Sequence, residues 1–543
     1  MKNKLYAIAL LLSISFVTIQ CKHPLDKIQI DIDGSNIIKY SAVFEVAEAR
    51  GASVSGLNVT IGGADADFIY DLGGTKNFAI NSGMLSLGVD PHFNPTSSKP
   101  VRFDVILSGQ GFITEIIPVT IVQDQLQQLK QVAVMRELTP PPSASAINAT
   151  FPLTLNAVIP AVTFNTPLSN GVTETVTVNL TEGTQFKSSS SDLIKGPSLS
   201  ASVMNFNMAD PKALDFFPGG SLISDRVIGP ENKEVAATFL PAAFTSIDMR
   251  VAGTQVKSFN QPVNVSMGIN PSYQNERTGQ TVKAGDMLSV YSYESSTGVW
   301  KYEKEAAVIN VNGKLQLPFT TNHLTWFMTG IVFTVPRPAV TPKIEITFLA
   351  PWLNGADLPV TIKIKQSGMV VRKQQHALKH NAKWICNGIL EGSYTLEIWG
   401  NDQMLLYTGT IVVPAGNNMK VTFEIVSPAV VGPLVSMELK IKCPNKSTLI
   451  TPPDFYLYYN EVNVTGSFRL LGLVSGGTFT TRLLDLNKRY NFKAVWGDKT
   501  KIVLDRKVST DNLLIANQKN AGKGGCGCAQ AQVTMFIGEC AGL

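Results

Sequence analysis

The segment "VTIKIK" (360–365) alternates between apolar and polar side chains at every position. Its even-numbered residues are Val and Ile, and its odd-numbered residues are Thr and Lys. Successive side chains of a β-strand point to opposite faces, so this pattern places one face in an apolar core and the other in water. Half-buried strands of this kind are typical of antiparallel sheets.

The same alternation recurs at 176–180, 344–348 and 435–443. One stretch, "DQLQQLKQV" (124–132), has some helical character, but it is short. Many short strands separated by turns rich in Gly, Asn and Pro are typical of sandwiches or barrels. The sequence therefore predicts an all-β chain of tandem antiparallel β-sandwiches.

Three Pro-rich segments interrupt the alternation: "TPPPS" (139–143), "VPRPAVTP" (335–342) and "SPAVVGP" (427–433). Proline lacks a backbone N–H and favours extended linkers. The predicted parts are a signal peptide at 1–20, an N-terminal sandwich at 21–138, and further sandwiches at 144–335, 343–426 and 434–543. Sandwiches joined by extended linkers predict a stalk.

The N-terminus has the features of an export signal, with Lys2 and Lys4 before an apolar run at 5–19. This run is too short to span a bilayer core of about 30 Å, so a cleaved signal fits better than a permanent helix. It ends at Cys21, and the segment resembles the lipobox of Gram-negative bacterial lipoproteins, although Thr18 and Gln20 depart from that pattern. The resemblance implies a lipid on Cys21 that anchors the chain at the outer membrane, on the cell surface. The alternative is ordinary cleavage with a free Cys21.

The segment 279–327 contains "AGDMLSVYSYESSTGVW" and, further on, "NHLTWF". It resembles the β-sandwich shared by ankyrins, netrin receptors and related extracellular proteins. The resemblance implies architecture, with Trp300 and Trp326 in the core and His323 as a structural residue bonded to backbone. Thr297–Gly298 is expected to form a turn, since Gly adopts positive φ easily.

Two further segments look like copies of one another: "GSYTLEIWGND" (392–402) and "KRYNFKAVWGDK" (488–499). They resemble the transthyretin-like, carboxypeptidase-regulatory-like modules of secreted bacterial proteins. Their shared Trp399 and Trp496 are expected to be structural core residues. The spacing differs by one residue, so one copy needs a bulge or a shifted turn.

Charge and composition limit the classes of partner. Charged residues make up 16% of the 543 residues and the net charge is +5, which is too small to indicate nucleic-acid binding. From residue 343 onward there are 22 Lys and Arg against 14 Asp and Glu. This basic half suits a phosphate-rich or acidic polysaccharide, or it reflects solvated strand faces.

Catalytic motifs are absent from the sequence, which has no G-x-S-x-G, H-E-x-x-H or phosphate-binding Gly loop. We therefore predict no enzymatic activity and no cofactor.

Two clusters offer metal ligands. Asp65, Asp67 and Asp71 are candidate calcium ligands, the alternative being a solvated hairpin. His376 and His380 could share a face and bind zinc, the alternative being exposed loop or edge-strand histidines.

Four cysteines, Cys443, Cys526, Cys528 and Cys540, lie in the last predicted sandwich. In an exported domain they predict two disulfides with three possible connectivities. Cys526 and Cys528 are separated only by Gly527 and are poorly placed to bond each other, so each is expected to pair with one of the other two cysteines. A four-cysteine zinc site is the alternative. Cys386 is expected to be a buried, unpaired residue.

These features predict a membrane-anchored surface lipoprotein that acts as a structural or adhesive binding scaffold, with surface polysaccharide or another surface protein as partner. The alternative is a glycan-binding accessory lipoprotein of an outer-membrane polysaccharide uptake system. Sugars stack on exposed indole rings, and Trp352, beside Pro351, is the candidate ligand-contact aromatic.

Overall fold

The chain is almost entirely β-structure, with 59% of residues in strands and 3% in helices. The computed structural model describes residues 38–534 except 53, 124–126, 155–156, 339–341, 402, 416–417, 429–430, 443–448, 451–453, 465–467, 487, 497–498, 510–511 and 514–528. Its strands form many separate sheets, which pair into tandem β-sandwiches. We number the sandwiches first to fourth along the chain.

The first sandwich packs the sheet β3-β4-β1-β7 against the sheet β2-β5-β6. Strands β1 and β7 are parallel, whereas the other neighbours are antiparallel. The strands are β1 (Ser41–Glu48), β2 (Asn58–Gly62), β3 (Ile69–Asp71), β4 (Met84–Val89), β5 (Val101–Ser108), β6 (Glu115–Ile121) and β7 (Gln127–Val134), with a 3₁₀ turn at Ala66–Phe68.

The second sandwich has the larger sheets, in the orders β13-β20-β19-β23-β14-β12-β8 and β21-β22-β16-β10-β9, with β15 and β11 at their margins and a separate β17-β18 pair. Its 3₁₀ helices are Pro211–Phe216 and Pro230–Asn232. The strands are β8 (Ala144–Pro152), β9 (Val162–Asn165), β10 (Val176–Leu180), β11 (Phe186–Lys187), β12 (Ser198–Phe206), β13 (Ile223–Ile228), β14 (Glu234–Val251), β15 (Thr254–Gln255), β16 (Ser258–Gly268), β17 (Gln274–Asn275), β18 (Gln280–Thr281), β19 (Met287–Glu294), β20 (Val299–Ala307), β21 (Ile309–Val311), β22 (Lys314–His323) and β23 (Trp326–Pro336).

The third sandwich pairs the sheet β27-β24-β30 with the sheet β26-β25-β28-β29. Alternation at 360–365 places Val360, Ile362 and Ile364 in the core at 0–1% exposure. The strands are β24 (Lys343–Leu349), β25 (Leu358–Gln366), β26 (Met369–Leu378), β27 (Lys383–Asn387), β28 (Gly392–Gly400), β29 (Leu405–Val413) and β30 (Met419–Glu424), with a 3₁₀ turn at Pro351–Leu353.

The fourth sandwich contains the sheet β32-β31-β35, with β39 parallel to β31, and the sheet β34-β33-β36-β37-β38. The strands are β31 (Val435–Lys442), β32 (Leu449–Ile450), β33 (Phe455–Glu461), β34 (Arg469–Val474), β35 (Thr478–Thr481), β36 (Arg489–Trp496), β37 (Lys499–Ser509), β38 (Asn512–Leu513) and β39 (Ala529–Thr534).

The helical character predicted for 124–132 is wrong where the structure describes this stretch, because residues 127–134 form the strand β7. Parallel pairing with β1 runs along the whole of β7 and aligns Leu129 with Val43. Leu129 is also 1% exposed. Tertiary pairing therefore overrides the weak local preference.

The prediction of an extended stalk is also wrong, because the four sandwiches fold back and contact one another. The first sandwich has side-chain contacts with the second, at Arg226 and Asp104, and with the fourth, at Lys493 and Ser82. Strand β7 lies alongside β26 of the third. One continuous cluster of buried apolar residues runs from residue 135 to residue 425, so the second and third sandwiches share a core.

No helix in the described part of the chain has both the length and the apolar character needed to cross a membrane.

The closed arrangement predicts a small radius of gyration for the purified chain. A single compact body of this length has a radius of gyration of about 25 Å, whereas four sandwiches in a row give about 40 Å. Small-angle X-ray scattering is expected to give the lower value. A value near 40 Å, with an elongated distance distribution, would contradict the contacts between the first and fourth sandwiches.

Candidate functional site

An ion pair lies between the first and second sandwiches. The Arg226 Nη1 atom lies 2.8 and 2.9 Å from the two carboxylate oxygens of Asp104, and these side chains are 23% and 10% exposed. The turn at Thr297–Gly298 lies against this pair. Gly298 has φ +69°, and a Cβ there would lie 3.2 Å from Ile116 of the first sandwich. Glycine is therefore required both by the turn and by the close approach.

A half-buried carboxyl group lies at the same junction. Glu115 begins β6, and its side chain accepts a hydrogen bond from the backbone N–H of Gly219 in the second sandwich. Burial raises the pKa of Glu115 to about 8, against which this hydrogen bond acts only partly. Nearby, the Tyr293 hydroxyl donates to the carbonyl of Ile116 at 3.4 Å. The junction therefore favours the protonated form of Glu115.

The edge strand β26 of the third sandwich is covered by the second. The carbonyl of Val371 accepts hydrogen bonds from the backbone N–H of Leu222 and the hydroxyl of Ser221, both at 3.2 Å. Beside them, Lys373 pairs with Asp215 at 3.2 Å. An exposed edge would offer unpaired backbone groups to other chains, and this contact removes part of that edge.

The first sandwich reaches the same strand through a half-buried lysine. Lys130 on β7 donates to the carbonyl of Pro118 at 3.0 Å. Burial, reinforced by the positive charge of Arg372 on β26, lowers the pKa of Lys130 to about 8. Arg372 itself donates to the carbonyl of Asn387 and lies 3.7 Å from the sulfur of Cys386. Three sandwiches thus meet around β26.

The third and fourth sandwiches meet at Asp357, which is 2% exposed. Its carboxylate accepts from the backbone N–H of Leu473 at 2.9 Å and pairs with Lys379 at 3.1 Å. Its own N–H donates to the carbonyl of Thr480 at 2.8 Å. A Cβ on Gly472 would lie 2.9 Å from the Cβ of Asp357, so a glycine at 472 is what permits this approach.

The fourth sandwich closes the arrangement by packing on the first. An apolar cluster joins two sheets across this junction; its buried members are Val43, Met84, Leu129, Tyr456, Tyr458 and Leu470. Lys493 is 7% exposed, donates to the carbonyl of Ser82 at 3.3 Å, and lies 5.0 Å from the centroid of the Tyr458 ring. Burial lowers the pKa of Lys493, and the negative charge of Glu45 partly offsets this effect.

Chemically, these junctions hold the four sandwiches together. Each polar group named above is engaged in a contact within or between sandwiches. No group of three or more His, Cys, Asp or Glu residues in the described part of the chain is arranged to hold a metal ion. None of these contacts was anticipated from sequence.

The residues expected to be structural in the second sandwich have the following positions. Trp300 and Trp326 lie in the core, 1% and 5% exposed, and Trp300 stacks on Phe217 at 4.9 Å. The ring of His323 does not bond to backbone as expected. Its Nε2 lies 3.0 Å from Glu303, and the ring packs beside Phe327.

The expectation that Trp399 is a core residue is wrong. Trp399 is half-buried and belongs to none of the buried apolar clusters among the described residues. Tyr394, Leu396 and Ile398 point into the core, so the residue at 399 points outward by strand alternation. The sequence carries this signal, since 394 and 399 differ by an odd number. The side chain of Trp496 lies outside the described residues.

Trp352 is not a free aromatic platform. It lies in the 3₁₀ turn Pro351–Leu353, is half-buried against the apolar core, and donates its indole N–H to the carbonyl of Ile425 at 3.0 Å. Through this hydrogen bond and this packing, Trp352 holds its turn against the core of the third sandwich.

The three candidate calcium ligands are used separately. Asp65 accepts from the backbone N–H of Arg102 at 2.7 Å, and Asp71 accepts from the backbone N–H and the hydroxyl of Thr75 at 2.6 and 2.7 Å. Asp67 lies in the 3₁₀ turn, not on a strand shared with Asp65.

The two histidines are also separated in role. Burial lowers the pKa of His376 to about 4, so the ring is neutral at physiological pH. His380 accepts from the backbone N–H of Ala350 at 3.1 Å through Nδ1. His376 lies on β26 and His380 follows it in a turn.

Of the cysteines, only Cys386 is described, and it is buried with a free thiol whose pKa is raised by burial. Cys21, Cys443, Cys526, Cys528 and Cys540 lie outside the described residues. Lipidation and the two disulfides therefore stay predictions.

A cleft of about 430 Å³ lies between the second sandwich and the β25–β26 turn. Among the described residues that line it, Tyr273 and Glu276 are the titratable ones. The Tyr273 hydroxyl donates to the carbonyl of Leu240 at 2.6 Å and accepts from the N–H of Ile331 at 3.0 Å, so it is fully engaged. The cleft lacks a nucleophile paired with a base.

No protein-family model matches the chain. No curated protein matches it either. Among solved structures it is similar to the Bacillus anthracis TIE protein, with 9% identity, a TM-score of 0.12, and coverage of 72% of this chain and 57% of that one. The Streptococcal ancillary pilin gives 11% identity, a TM-score of 0.14, and coverage of 46% of this chain and 93% of that one. BcpA, the major pilin subunit of Bacillus cereus, gives 8% identity, a TM-score of 0.13, and coverage of 71% of this chain and 99% of that one. No argument about function follows from TM-scores this low.

The Arg226–Asp104 pair is expected to behave as a coupled unit. Arg226→Ala or Asp104→Ala alone leaves a largely buried charge unpaired and should lower the free energy of unfolding by about 1.5–3 kcal/mol. The double variant should lose less than the sum of the two. Denaturant unfolding measures all three. Alanine substitutions in the exposed pair Lys233–Glu231 serve as control and should have no measurable effect. Additive losses at 226 and 104 would contradict the coupling.

Glu115→Gln is expected to flatten the pH dependence of stability. The folded-state pKa of Glu115 is raised to about 8, so its stabilising contribution is complete below the unfolded value of 4.5 and is lost as the pH rises through 8. The wild-type chain should lose stability between pH 5 and pH 8, and the variant should lose less. Thermal unfolding across this range measures the difference, with the exposed Glu182→Gln as control. Parallel pH profiles for wild type and Glu115→Gln would exclude a buried, protonated Glu115.

Proposed function

We propose that this chain is a non-catalytic surface lipoprotein with a structural or adhesive role, held at the outer membrane by a lipid on Cys21. The observation that carries the proposal is the closed set of junctions, in which the first sandwich contacts each of the other three. Its contacts use the buried residues Asp104 and Leu129 and the half-buried residues Glu115 and Lys130. A body fixed in this way presents its outer surfaces in a constant arrangement.

Rigidity suits a binding scaffold for a physical reason. A partner that binds a flexible array must pay for ordering it, whereas a preassembled body has already ordered its surfaces. The buried charges also discourage alternative arrangements, because a shifted junction would leave Arg226 or Asp104 buried without its partner. The proposed role therefore uses the junctions for positioning.

The proposed anchor is compatible with this body. Nineteen residues lie between Cys21 and the start of β1 at Ser41, a length of chain that reaches at most about 70 Å. Acyl chains on Cys21 would hold the first sandwich within this distance of the membrane, and through its junctions the other three.

A second candidate is a glycan-binding accessory lipoprotein of a polysaccharide uptake system. The specific observation that favours it is the outward Trp399, because sugars stack on exposed indole faces. The two candidates differ in what the bound partner does afterwards, retention at the surface or transfer into the cell.

Anchoring and exposure are tested together in a Gram-negative host that expresses the full-length chain. Wild type should incorporate radiolabelled palmitate, sediment with outer membranes and be cleaved by protease added to intact cells. Cys21→Ser should lose the label and the membrane association, while Cys386→Ser should keep both. An unlabelled wild-type chain would refute the lipid anchor, and protection from protease in intact cells would refute surface display.

A further inference from the structure

We propose that the outer face of the sheet β26-β25-β28-β29, around Trp399 and Lys363, binds carboxylate-bearing polysaccharide. The inference rests on the binding role proposed above and names the ligand class. We call this surface the Trp399 face, defined by Thr361, Lys363, Lys365, Lys373, Glu397 and Trp399. These residues alternate with the core residues of β25, β26 and β28 and therefore lie on one side of the sheet.

The indole ring of Trp399 is held in place. Its N–H donates to one carboxylate oxygen of Glu397 at 2.8 Å, and the other oxygen accepts from Lys365 at 2.6 Å. The ammonium of Lys363 lies 4.7 Å from the ring centroid. Burial opposes ionisation of Glu397, but the hydrogen bonds from Lys365 and Trp399 together lower its pKa. A fixed ring loses little conformational entropy when a ligand stacks on it.

The Trp399 face has an excess of positive charge. Lys365 pairs with Glu397, and Lys373 pairs with Asp215 of the second sandwich. Lys363 lies within ion-pair distance of no carboxylate among the described residues; its close partner is the indole ring. Burial, together with the neighbouring Lys373, lowers the pKa of Lys363. The negative charges of Glu397 and Asp215 offset these effects only in part, so an incoming carboxylate would add further negative charge near Lys363.

The ligand class follows from the two kinds of group side by side. The Lys363 ammonium lies over one face of the indole ring, so the C–H groups of a sugar ring would pack on the remaining apolar surface of the indole, with the donor and charge of Lys363 close by. Threonine hydroxyls at 361 and 408 lie on the same side of the sheet, at register positions next to Trp399 and Glu397. A uronic-acid unit combines an apolar ring face, hydroxyl groups and a carboxylate in one monomer.

The position of the face agrees with a binding site. The second sandwich touches it at Asp215, and Asn401, just after Trp399 on the chain, donates to the carbonyl of Leu470 in the fourth sandwich at 2.7 Å. Trp399 thus lies between two inter-sandwich contacts. Ligand sites occur preferentially where domains meet, since walls from both sides can approach the ligand.

Binding is tested with the full mature chain and uronic-acid oligosaccharides prepared from pectate, alginate and hyaluronan. Isothermal titration and quenching of tryptophan emission should detect binding of at least one acid oligosaccharide, weakening with salt. The methyl-esterified form of that oligosaccharide has the same sugar without the charge, and it should bind about tenfold more weakly. Polyglutamate should bind no better than the ester.

Variants locate the site. Trp399→Ala and Lys363→Gln should each weaken binding of the acid oligosaccharide about tenfold or more. Two matched controls should bind as wild type: Trp352→Phe, whose indole is bonded to Ile425, and Lys420→Gln, an exposed lysine on the other sheet of the third sandwich. Thermal unfolding checks that each variant remains folded.

Three results would overturn the inference: no binding of any acid oligosaccharide, equal binding of the acid and its ester or of polyglutamate, or unchanged binding by Trp399→Ala. Each of these would leave the anchored scaffold standing if palmitate labelling and surface exposure are found. Failure of labelling with intact oligosaccharide binding would remove the anchor and keep the site.

Discussion

The free edge of β26 is the constraint on which the assembly depends. An open four-stranded sheet has two edge strands, and β26 is one of them in the sheet β26-β25-β28-β29. A long edge strand presents backbone N–H and C=O groups that other chains can pair with. Here the second sandwich bonds to the carbonyl of Val371 from Ser221 and Leu222, and β7 of the first sandwich lies alongside. Covering this edge brings three sandwiches together at one strand. The fourth then packs on the first, which closes the arrangement.

Buried charge makes the closed arrangement specific. Apolar clusters such as the one around Tyr458 and Met84 tolerate small sliding motions, because dispersion and burial have little directionality. Arg226 and Asp104 do not, since each is desolvated and a shift of the junction would leave both without compensation. Ionising Glu115 or Lys130 at its junction also costs free energy, because burial raises the pKa of Glu115 and lowers the pKa of Lys130, and both shifts favour the neutral form. The apolar clusters thus stabilise the junctions, whereas the charged residues fix the orientation of one sandwich relative to the next.

The alternation of side chains was enough to predict the fold class, and the outward direction of Trp399 could have been read from the odd spacing between 394 and 399. The junctions could not be predicted in this way. Lys130 and Glu115 occur in segments whose polar residues look like ordinary solvent-facing positions, and only the tertiary structure places another sandwich over them. The Pro-rich segments favour extended linkers locally, but they do not determine whether the sandwiches they connect fold back on each other. Asp357 is a similar case, because its partners Leu473 and Thr480 are more than a hundred residues away.

The junctions also explain why a binding face could persist on the third sandwich. Its sheet β26-β25-β28-β29 is half enclosed: contacts at Asp215 and Asn401 tie it to its neighbours on two sides. Because those contacts fix the sheet, the row from Lys365 through Glu397 to Trp399 needs no rearrangement to stay in place. The indole of Trp399 is half-buried and belongs to none of the apolar clusters among the described residues, so its orientation is fixed by its hydrogen bond to Glu397 and by the Lys363 ammonium over its ring.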